Sequence, residues 1–224
     1  MRNFPITIMD NFFVNPDKVR NFALHQEYFG SENYGNFSGK RTKHISELDI
    51  DFHNEFIKKF FSIYYDYEFE QLTWEVEAYF QITSGERECG WVHTDNIGES
   101  QSIAAGIIYL TPNAPLNSGT SIYKVKDNVL VPSICGQTKY DFNTNEIPVS
   151  QARERREEEK NQYVETINVS NIYNRIISFD ATEFHCAQNY FGDTDENSRL
   201  MLVFFVRRLN AKAFPLSRTI SQLV

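Results

Sequence analysis

Two side chains that can bind a metal ion stand one residue apart in His93-Thr94-Asp95, and a third, His185, follows much later in the chain. Two neutral imidazoles and one carboxylate on one face of a divalent iron leave the opposite positions open for dioxygen and a co-substrate. On an extended segment residues i and i+2 point the same way, whereas on a helix they diverge by about 200°. His93 and Asp95 can therefore reach one ion only if their segment is extended.

This spacing alone is a weak signal, because the chain contains two similar pairs. Both place a glutamate two residues after a histidine, in His25-Gln26-Glu27 and His53-Asn54-Glu55. Their segments have the apolar periodicity of helices, so the paired side chains should point apart. His93 and Asp95 are the pair that we expect to chelate.

An arginine opens the apolar segment that runs from Arg199 to Val206. Burying a guanidinium is costly unless it pairs with an acid or an anion; the alternative is a strand-end arginine that reaches solvent. Tyr109 ends another apolar run, where it is either an ordinary core residue or a phenol in need of a polar partner. An arginine fork beside a tyrosine hydroxyl is a good receptor for a carboxylate.

Composition limits the class of protein. The net charge of −8 and the pI of about 5.2 disfavour nucleic acid and anionic membranes as partners. Cys89, Cys135 and Cys186 are odd in number and lack a Cys-x-x-Cys spacing, which argues against a disulfide framework and against structural zinc. The first residues, Met1-Arg2-Asn3-Phe4-Pro5, do not have the apolar core that is expected of a signal peptide, and no stretch approaches the roughly 18 apolar residues needed to span a bilayer. We therefore expect a soluble, cytoplasmic protein.

Helices are predicted in the first part of the chain. Asn15-Pro16-Asp17 is typical of a helix start, with an N-cap, a proline at the first helical position and an acid in the first turn. Residues 30 to 45 are rich in Gly, Ser and Asn and predict a loop. A second helix is predicted over about 46 to 65, where Phe52, Phe56 and Phe60 recur at helical spacing.

Strands are predicted later in the chain. From Leu72 to Thr83 apolar and polar residues alternate, and further strands are predicted over 103–110, 121–125, 167–169, 172–179 and 200–206. An insertion at 126–165 contains a highly charged segment, 151–162, that predicts a solvated helix; the alternative is a lid or a partner contact. This order favours an α+β fold with a jelly roll. We expect a single domain over 1–224, with a helical layer at 1–70 and a β core at 71–210.

In this order, the motifs resemble those of the iron(II)/2-oxoglutarate-dependent dioxygenases, and among them the prolyl 4-hydroxylase-like branch. The resemblance covers roughly residues 72 to 208. It runs through His93-Thr94-Asp95-Asn96, Ile108-Tyr109-Leu110, Ser118-Gly119-Thr120, Asn174-Arg175-Ile176-Ile177-Ser178-Phe179, His185 and Arg199.

The resemblance implies a double-stranded β-helix with the N-terminal helices packed on the sheet, and iron(II) held by His93, Asp95 and His185. It implies that Arg199, helped by Tyr109, binds the distal carboxylate of the co-substrate 2-oxoglutarate, with Gln81 as a further candidate for the same pocket. The stretch between His185 and Arg199 is longer than is common in the branch. Arg207 and Arg208 are therefore alternative anchors.

The resemblance also implies a function, namely hydroxylation of a peptidyl side chain or a small molecule, with succinate and CO2 as co-products. Two other classes stay open. One is a non-catalytic jelly-roll module for binding or structure, and the other is a cupin-like metalloenzyme that does not use 2-oxoglutarate. Arg199 discriminates between the hydroxylase and these two classes, because an arginine bonded to a protein carboxylate away from the metal cavity would favour either alternative.

Overall fold

The computed structural model describes residues 4–31, 36–66, 71–96, 101–130, 132, 136–144, 146–212 and 215–216. The helices are α1 Pro16–Leu24, α2 Ile45–Leu48, α3 Ile50–Ser62, α4 Gly136–Asn143 and α5 Val149–Lys160. The strands are β1 Thr7–Met9, β2 Phe29–Gly30, β3 Lys40–Arg41, β4 Thr73–Thr83, β5 Ala104–Tyr109, β6 Thr120–Val125, β7 Tyr163–Val169, β8 Ile176–Asp180, β9 Phe184–Ala187 and β10 Arg199–Asn210. None of the helices in this part of the chain is long and apolar enough to cross a membrane.

The N-terminal helices form where capping residues stand. Asn15 caps α1 by accepting a hydrogen bond from the backbone N–H of Lys18, and Pro16 occupies the first turn as predicted. The second predicted helix is broken at Asp49, which ends α2 and whose side chain caps α3 by accepting from the N–H of Phe52. A capping aspartate has non-helical backbone angles, so it divides one apolar pattern into two helices.

Seven strands form the larger sheet, in the order β1-β8-β5-β10-β4-β3-β2, and its registered strand pairs are antiparallel. The alternation predicted for β4 is confirmed. One face packs against α3, where Phe60 lies 4.6 Å from Phe204 between ring centroids, in the main apolar core. The other face carries the polar residues of β4 and looks towards the second sheet.

The smaller sheet has the order β7-β6-β9 and is also antiparallel. Ile122 and Val169 of this sheet pack in one buried cluster with Ala105, Ile177 and Phe179 of the larger one. Two antiparallel sheets closed over a shared apolar interior are consistent with a jelly roll. The double-stranded β-helix stays a prediction.

Several predicted boundaries are wrong. Lys40–Arg41 lies in the predicted loop but forms β3, and His185 lies within β9, where the sequence predicts no strand. β7 begins at Tyr163, before the predicted start at 167, while β8 begins only at Ile176. His25 follows the end of α1 and is not inside the helix. Short strands acquire their partners from distant segments, so local periodicity does not reveal them.

The insertion contains two helices. The charged segment is helical as predicted, over Val149–Lys160, but it is not solvated on every side, because Ala152, Arg156 and Glu159 are buried. The preceding helix α4 has no counterpart among the predicted elements. Cys135, one of the three cysteines, lies outside the described residues.

Candidate metal centre and its cavity

Backbone hydrogen bonds hold His93 beside His185, although the two residues are far apart in the sequence. His93 and His185 form an antiparallel bridge in which each backbone N–H donates to the carbonyl of the other, at 3.0 and 2.9 Å. The N–H of Asp95 donates to the carbonyl of Ala181 at 3.0 Å. The segment from His93 to Asp95 is thus held extended against β9 and the turn that precedes it, as the His-x-Asp spacing requires for both side chains to point to one side.

The three side chains converge. His185 Nε2 lies 3.4 Å from Asp95 Oδ2, and His93 Nε2 lies 3.7 Å from Asp95 Oδ1. The ring centroids of the two histidines are 4.4 Å apart, and one ligand atom from each of the three residues falls within 4.8 Å of the others. Within the described ranges, this is the one group of His, Cys, Asp or Glu residues with metal-binding spacing.

The donor set fits a divalent transition metal. His93 Nδ1 lies 2.7 Å from the carbonyl of Trp91, and His185 Nδ1 lies 3.0 Å from the carbonyl of Glu183. A carbonyl oxygen only accepts, so each Nδ1 donates a hydrogen bond and the Nε2 of each ring faces the site as the candidate metal ligand. Burial, reinforced by the nearby charge of Lys139, holds the pKa of His93 well below its usual range. A neutral imidazole is the form that binds metal.

Arg199 is buried beside this centre. It is 1% exposed and lines the same cavity as the three candidate ligands. Its Nε donates to the carbonyl of Ser118 at 2.9 Å, one Nη donates to the carbonyl of Gly119 at 3.3 Å, and the other contacts the sulfur of Met201 at 2.9 Å. Among the described residues no carboxylate forms an ion pair with it. A buried guanidinium held only by neutral acceptors is suited to an anionic ligand.

Gly119 makes this arrangement possible. A Cβ built on it would lie 1.8 Å from the carbonyl oxygen of Val169, so only glycine allows the turn to lie this close to β7. The same turn presents the Ser118 and Gly119 carbonyls that hold Arg199.

Tyr109 and Gln81 occupy supporting positions. Tyr109 is fully buried with its ring 5.5 Å from the Arg199 guanidinium, and its hydroxyl donates to Thr120 Oγ1 at 2.9 Å. Thr120 lines the cavity, whereas Tyr109 is not among the cavity-lining residues. Gln81 does line it, but its amide donates to the carbonyl of Ser38 at 2.9 Å and its oxygen accepts from Arg41 Nε at 2.7 Å. Gln81 thus holds Arg41 in place.

The alternative anchors lie elsewhere. Arg207 Nη2 forms an ion pair with Glu77 at 2.8 Å, and neither Arg207 nor Arg208 is among the residues that line the cavity. Arg208 is largely exposed beside Glu75. Of the three arginines that the sequence offers on β10, Arg199 is the one that faces the candidate metal centre.

Two further cations of the cavity, Arg41 and Lys139, are not among the residues that the sequence singles out. Arg41 belongs to the segment predicted as loop, and Lys139 belongs to an unpredicted helix in the insertion. The sequence contains one usable signal, the run Gly39-Lys40-Arg41-Thr42, but nothing in it indicates which basic residue turns inwards. In β3, Lys40 forms an ion pair with Asp195 at 2.7 Å outside the cavity, while Arg41 points into it.

The cavity is formed between the two sheets and the insertion. Its apolar lining includes Trp91, Phe179 and Phe205. This combination of an apolar wall with a few convergent polar groups is typical of small-molecule sites.

Several solved structures have a fold similar to that of this chain, and three examples contain a bound peptide or 2-oxoglutarate. A prolyl hydroxylase from Trichoplax adhaerens, in complex with a hypoxia inducible factor peptide fragment, is 12% identical, with a TM-score of 0.52 and coverage of 90% of this chain and 83% of that one. HygX from Streptomyces hygroscopicus, with nickel and 2-oxoglutarate bound, is 9% identical, with a TM-score of 0.53 and coverage of 90% and 82%. EvdO2 from Micromonospora carbonacea var. aurantiaca, complexed with 2-oxoglutarate, is 13% identical, with a TM-score of 0.54 and coverage of 96% and 91%. At such identities the likeness establishes the fold.

The sequence itself places the chain in a family. Residues 2–205 match the model of DUF6445, a family of unknown function, and the chain belongs to that family. No curated protein matches the sequence.

Proposed function

We propose that this chain is an iron(II)- and 2-oxoglutarate-dependent oxygenase that hydroxylates a peptidyl side chain or a small molecule. One observation carries the proposal. A His-Asp-His donor set shares a cavity with a buried arginine that has no carboxylate partner among the described residues. A metal would bind the His-Asp-His donor set, and a carboxylate of a dicarboxylate ligand would pair with the arginine.

His93, Asp95 and His185 would hold the metal through two Nε2 atoms and one carboxylate, which leaves further coordination positions open. Iron(II), when bound, supplies the redox chemistry by which dioxygen and 2-oxoglutarate become succinate, CO2 and one oxygen atom inserted into a substrate C–H bond. The backbone carbonyls of Trp91 and Glu183 would fix the orientation of both rings.

Arg199 would bind the distal carboxylate of 2-oxoglutarate. Its Nε is fixed by Ser118, while the Nη atoms contact weaker partners, at 3.3 Å to the carbonyl of Gly119 and at 2.9 Å to a thioether. A carboxylate replacing these contacts gains charge-assisted hydrogen bonds. Tyr109 would act as a positioning residue, since its ring lies against the guanidinium and its hydroxyl orients Thr120.

The comparisons support the proposal at the level of the fold. Two of the structures with similar folds contain 2-oxoglutarate, one of them with nickel, and a third is a prolyl hydroxylase with a peptide. The peptide and small-molecule substrates remain equal candidates on this basis. The two alternatives, a non-catalytic module and a cupin-like enzyme without 2-oxoglutarate, are disfavoured because Arg199 lines the metal cavity and is not paired with a protein carboxylate among the described residues.

The proposal is tested by turnover of 2-oxoglutarate. Purified protein is supplied with iron(II), 2-oxoglutarate and air, with ascorbate as the reductant in place of a C–H substrate, and succinate is quantified by mass spectrometry. We expect succinate from the wild type, none from His185→Ala, and at least about a tenfold loss for Arg199→Met, because hydrogen bonds to charged groups contribute roughly 1.5–3 kcal/mol. If the wild type and folded His185→Ala protein form equal amounts of succinate, the proposal is wrong.

A further inference from the structure

We propose that Arg41 and Lys139 form a second anion site in the cavity, which binds a carboxylate or phosphate group of the primary substrate. The inference rests on the proposed function, and it names the substrate class: an anionic molecule or a peptide with an anionic group. Neither residue belongs to the motifs that carry the metal or Arg199. They come from β3 and from α4, in two regions without a recognisable substrate signature in the sequence.

Arg41 is preorganised for an anion. Its Nε donates to Gln81 Oε1 at 2.7 Å and its guanidinium lies 4.2 Å from the centre of the Phe37 ring, so the group is held in one orientation. Within the described ranges it forms no ion pair, and burial lowers its pKa to about 10. Among the described residues the two terminal nitrogens have no hydrogen-bond partner, so they can bind a planar or tetrahedral oxyanion.

Lys139 converges on the same space from the insertion. It lines the cavity and, in the described part of the chain, forms no ion pair. Arg41 and Asp95 line the same cavity, and burial lowers the pKa of the Lys139 ammonium. α4 is tied to the segment before β3, because Asn143 accepts hydrogen bonds from Ser38 and Ser31, each at 3.1 Å. The fold therefore brings both cations to the same cavity.

The excess of positive charge in the cavity favours the binding of more than one anionic ligand. Three side-chain cations line it, namely Arg41, Lys139 and Arg199, and Asp95 is the one lining carboxylate among the described residues. A divalent metal would raise the positive charges to five. Asp95 offsets one and 2-oxoglutarate offsets two, which leaves two positive charges unmatched within the cavity. Arg41 and Lys139 are half-buried, and partly desolvated charges are stabilised by a bound counter-ion.

The two cationic sites are separate. Arg41 lies on β3 and Arg199 on β10, with β4 between them, and Arg41 pairs in register with Gln81, which pairs with Met201. Two strand spacings separate the backbones of Arg41 and Met201 by about 10 Å, and Arg199 lies two residues before Met201 on β10. One carboxylate at Arg199 therefore leaves Arg41 and Lys139 available for another group.

The test measures anion binding rather than turnover. Inorganic phosphate and, in a second arm, acetate are titrated by calorimetry into the full chain, both metal-free and loaded with nickel and 2-oxoglutarate. We expect saturable binding in the loaded wild type, weakened about tenfold or more by Arg41→Met and separately by Lys139→Met. Lys40→Met is the matched control: it removes a cation from the same strand outside the cavity and should leave binding unchanged. The two arms distinguish phosphate from carboxylate as the preferred group.

The outcomes separate this inference from the proposed function. If Arg41→Met abolishes 2-oxoglutarate binding while Arg199→Met preserves it, Arg41 is the co-substrate anchor and the inference is wrong although the enzyme class stands. Wild-type binding of neither anion, or affinities unchanged in both folded variants, also overturns it. If nickel and 2-oxoglutarate fail to bind but phosphate or acetate binding to the metal-free protein depends on Arg41 and Lys139, the anion site stands and the proposed function fails. Lys139→Met lies on a separate element, so a folding defect in Arg41→Met leaves the test intact.

Discussion

Among single side chains, Arg199 is buried in an unusual setting. Its nitrogens contact two backbone carbonyls, a threonine hydroxyl and a thioether, and the nearest aromatic rings are those of Tyr109 and Tyr190. Neutral acceptors compensate only part of the cost of removing a guanidinium from water. An anionic ligand would therefore stabilise the folded chain as well as fill the site.

A pair of histidines outside the cavity affects stability. His44 Nε2 and His53 Nε2 lie 3.2 and 3.1 Å from the same carbonyl oxygen, that of Val76, and their ring centroids are 5.1 Å apart. Burial lowers the pKa of both rings, and for His44 the proximity of His53 lowers it further. The pair packs where α2 and α3 meet β4, so it links the helical layer to the sheet.

This pair predicts a pH-dependent stability. Because the folded-state pKa values lie below those of the unfolded chain, the unfolded chain takes up protons first as the pH falls below about 6.5. The free energy of unfolding should decrease from that pH down to the folded-state pKa values. In urea titrations at several pH values, His53→Gln should reduce this slope, and His25→Gln, at an exposed position, is the matched control. An identical slope in wild type and His53→Gln would contradict the assignment.

At the scale of elements, α4 determines one wall of the cavity although it has little apolar surface of its own. Phe142 anchors it by packing on Trp91, with ring centroids 6.4 Å apart, and by contacts with the guanidinium groups of Arg87 and Arg156. Arg87 also donates to the backbone carbonyl of Phe142 at 2.8 Å. Glu88 binds Arg156 at 2.5 Å and so ties α5 to the segment that leads to His93.

Removing this anchor should loosen α4 selectively. Phe142→Ala deletes a buried ring that holds the helix, so we expect faster amide hydrogen exchange over residues 136–144, with exchange in α3 unchanged. Hydrogen exchange read by mass spectrometry measures both segments in one experiment. Tyr140→Ala on the exposed side of the same helix is the control. Equal protection of α4 in the two variants would show that the anchor lies elsewhere.

The sequence predicts the long elements better than the short ones. β4, β5 and β10 have strong apolar patterns, and the His-x-Asp spacing by itself demands an extended segment. β3 spans two residues and β9 four, so neither is long enough to produce a periodicity. Their pairing with β4 and β6 decides their conformation, and with it the inward orientation of Arg41 and His185.

The sequence does not predict α4, because this helix also depends on contacts with distant parts of the chain. It carries polar residues around most of its circumference, so its position depends on Phe142 and on hydrogen bonds with residues far away in sequence. Lys139 is therefore not recognisable as a site residue from the sequence. Arg199 is recognisable because a charged residue inside an apolar strand requires an explanation.

For the whole molecule, the net charge and the charge of the site have opposite signs. The chain carries −8, yet its cavity gathers Arg41, Lys139 and Arg199 against a single carboxylate among the described lining residues. Net charge describes the surface, where acidic residues predominate, and it does not report on a shielded interior. The acidic surface would slow the approach of anionic ligands, whereas the cavity would retain them once inside.

The central claim is that a metal and a dicarboxylate bind side by side in this cavity, and linked binding tests it most directly. Nickel and 2-oxoglutarate are titrated without oxygen into wild type, His93→Ala, Arg199→Met and the same-strand control Arg207→Met, with circular dichroism to verify folding. We predict that 2-oxoglutarate binds tightly only with nickel present, that His93→Ala weakens the metal, and that Arg199→Met spares the metal but weakens 2-oxoglutarate about tenfold or more. Nickel affinity unaffected by His93→Ala, or 2-oxoglutarate affinity unaffected by both nickel and Arg199→Met, would contradict it.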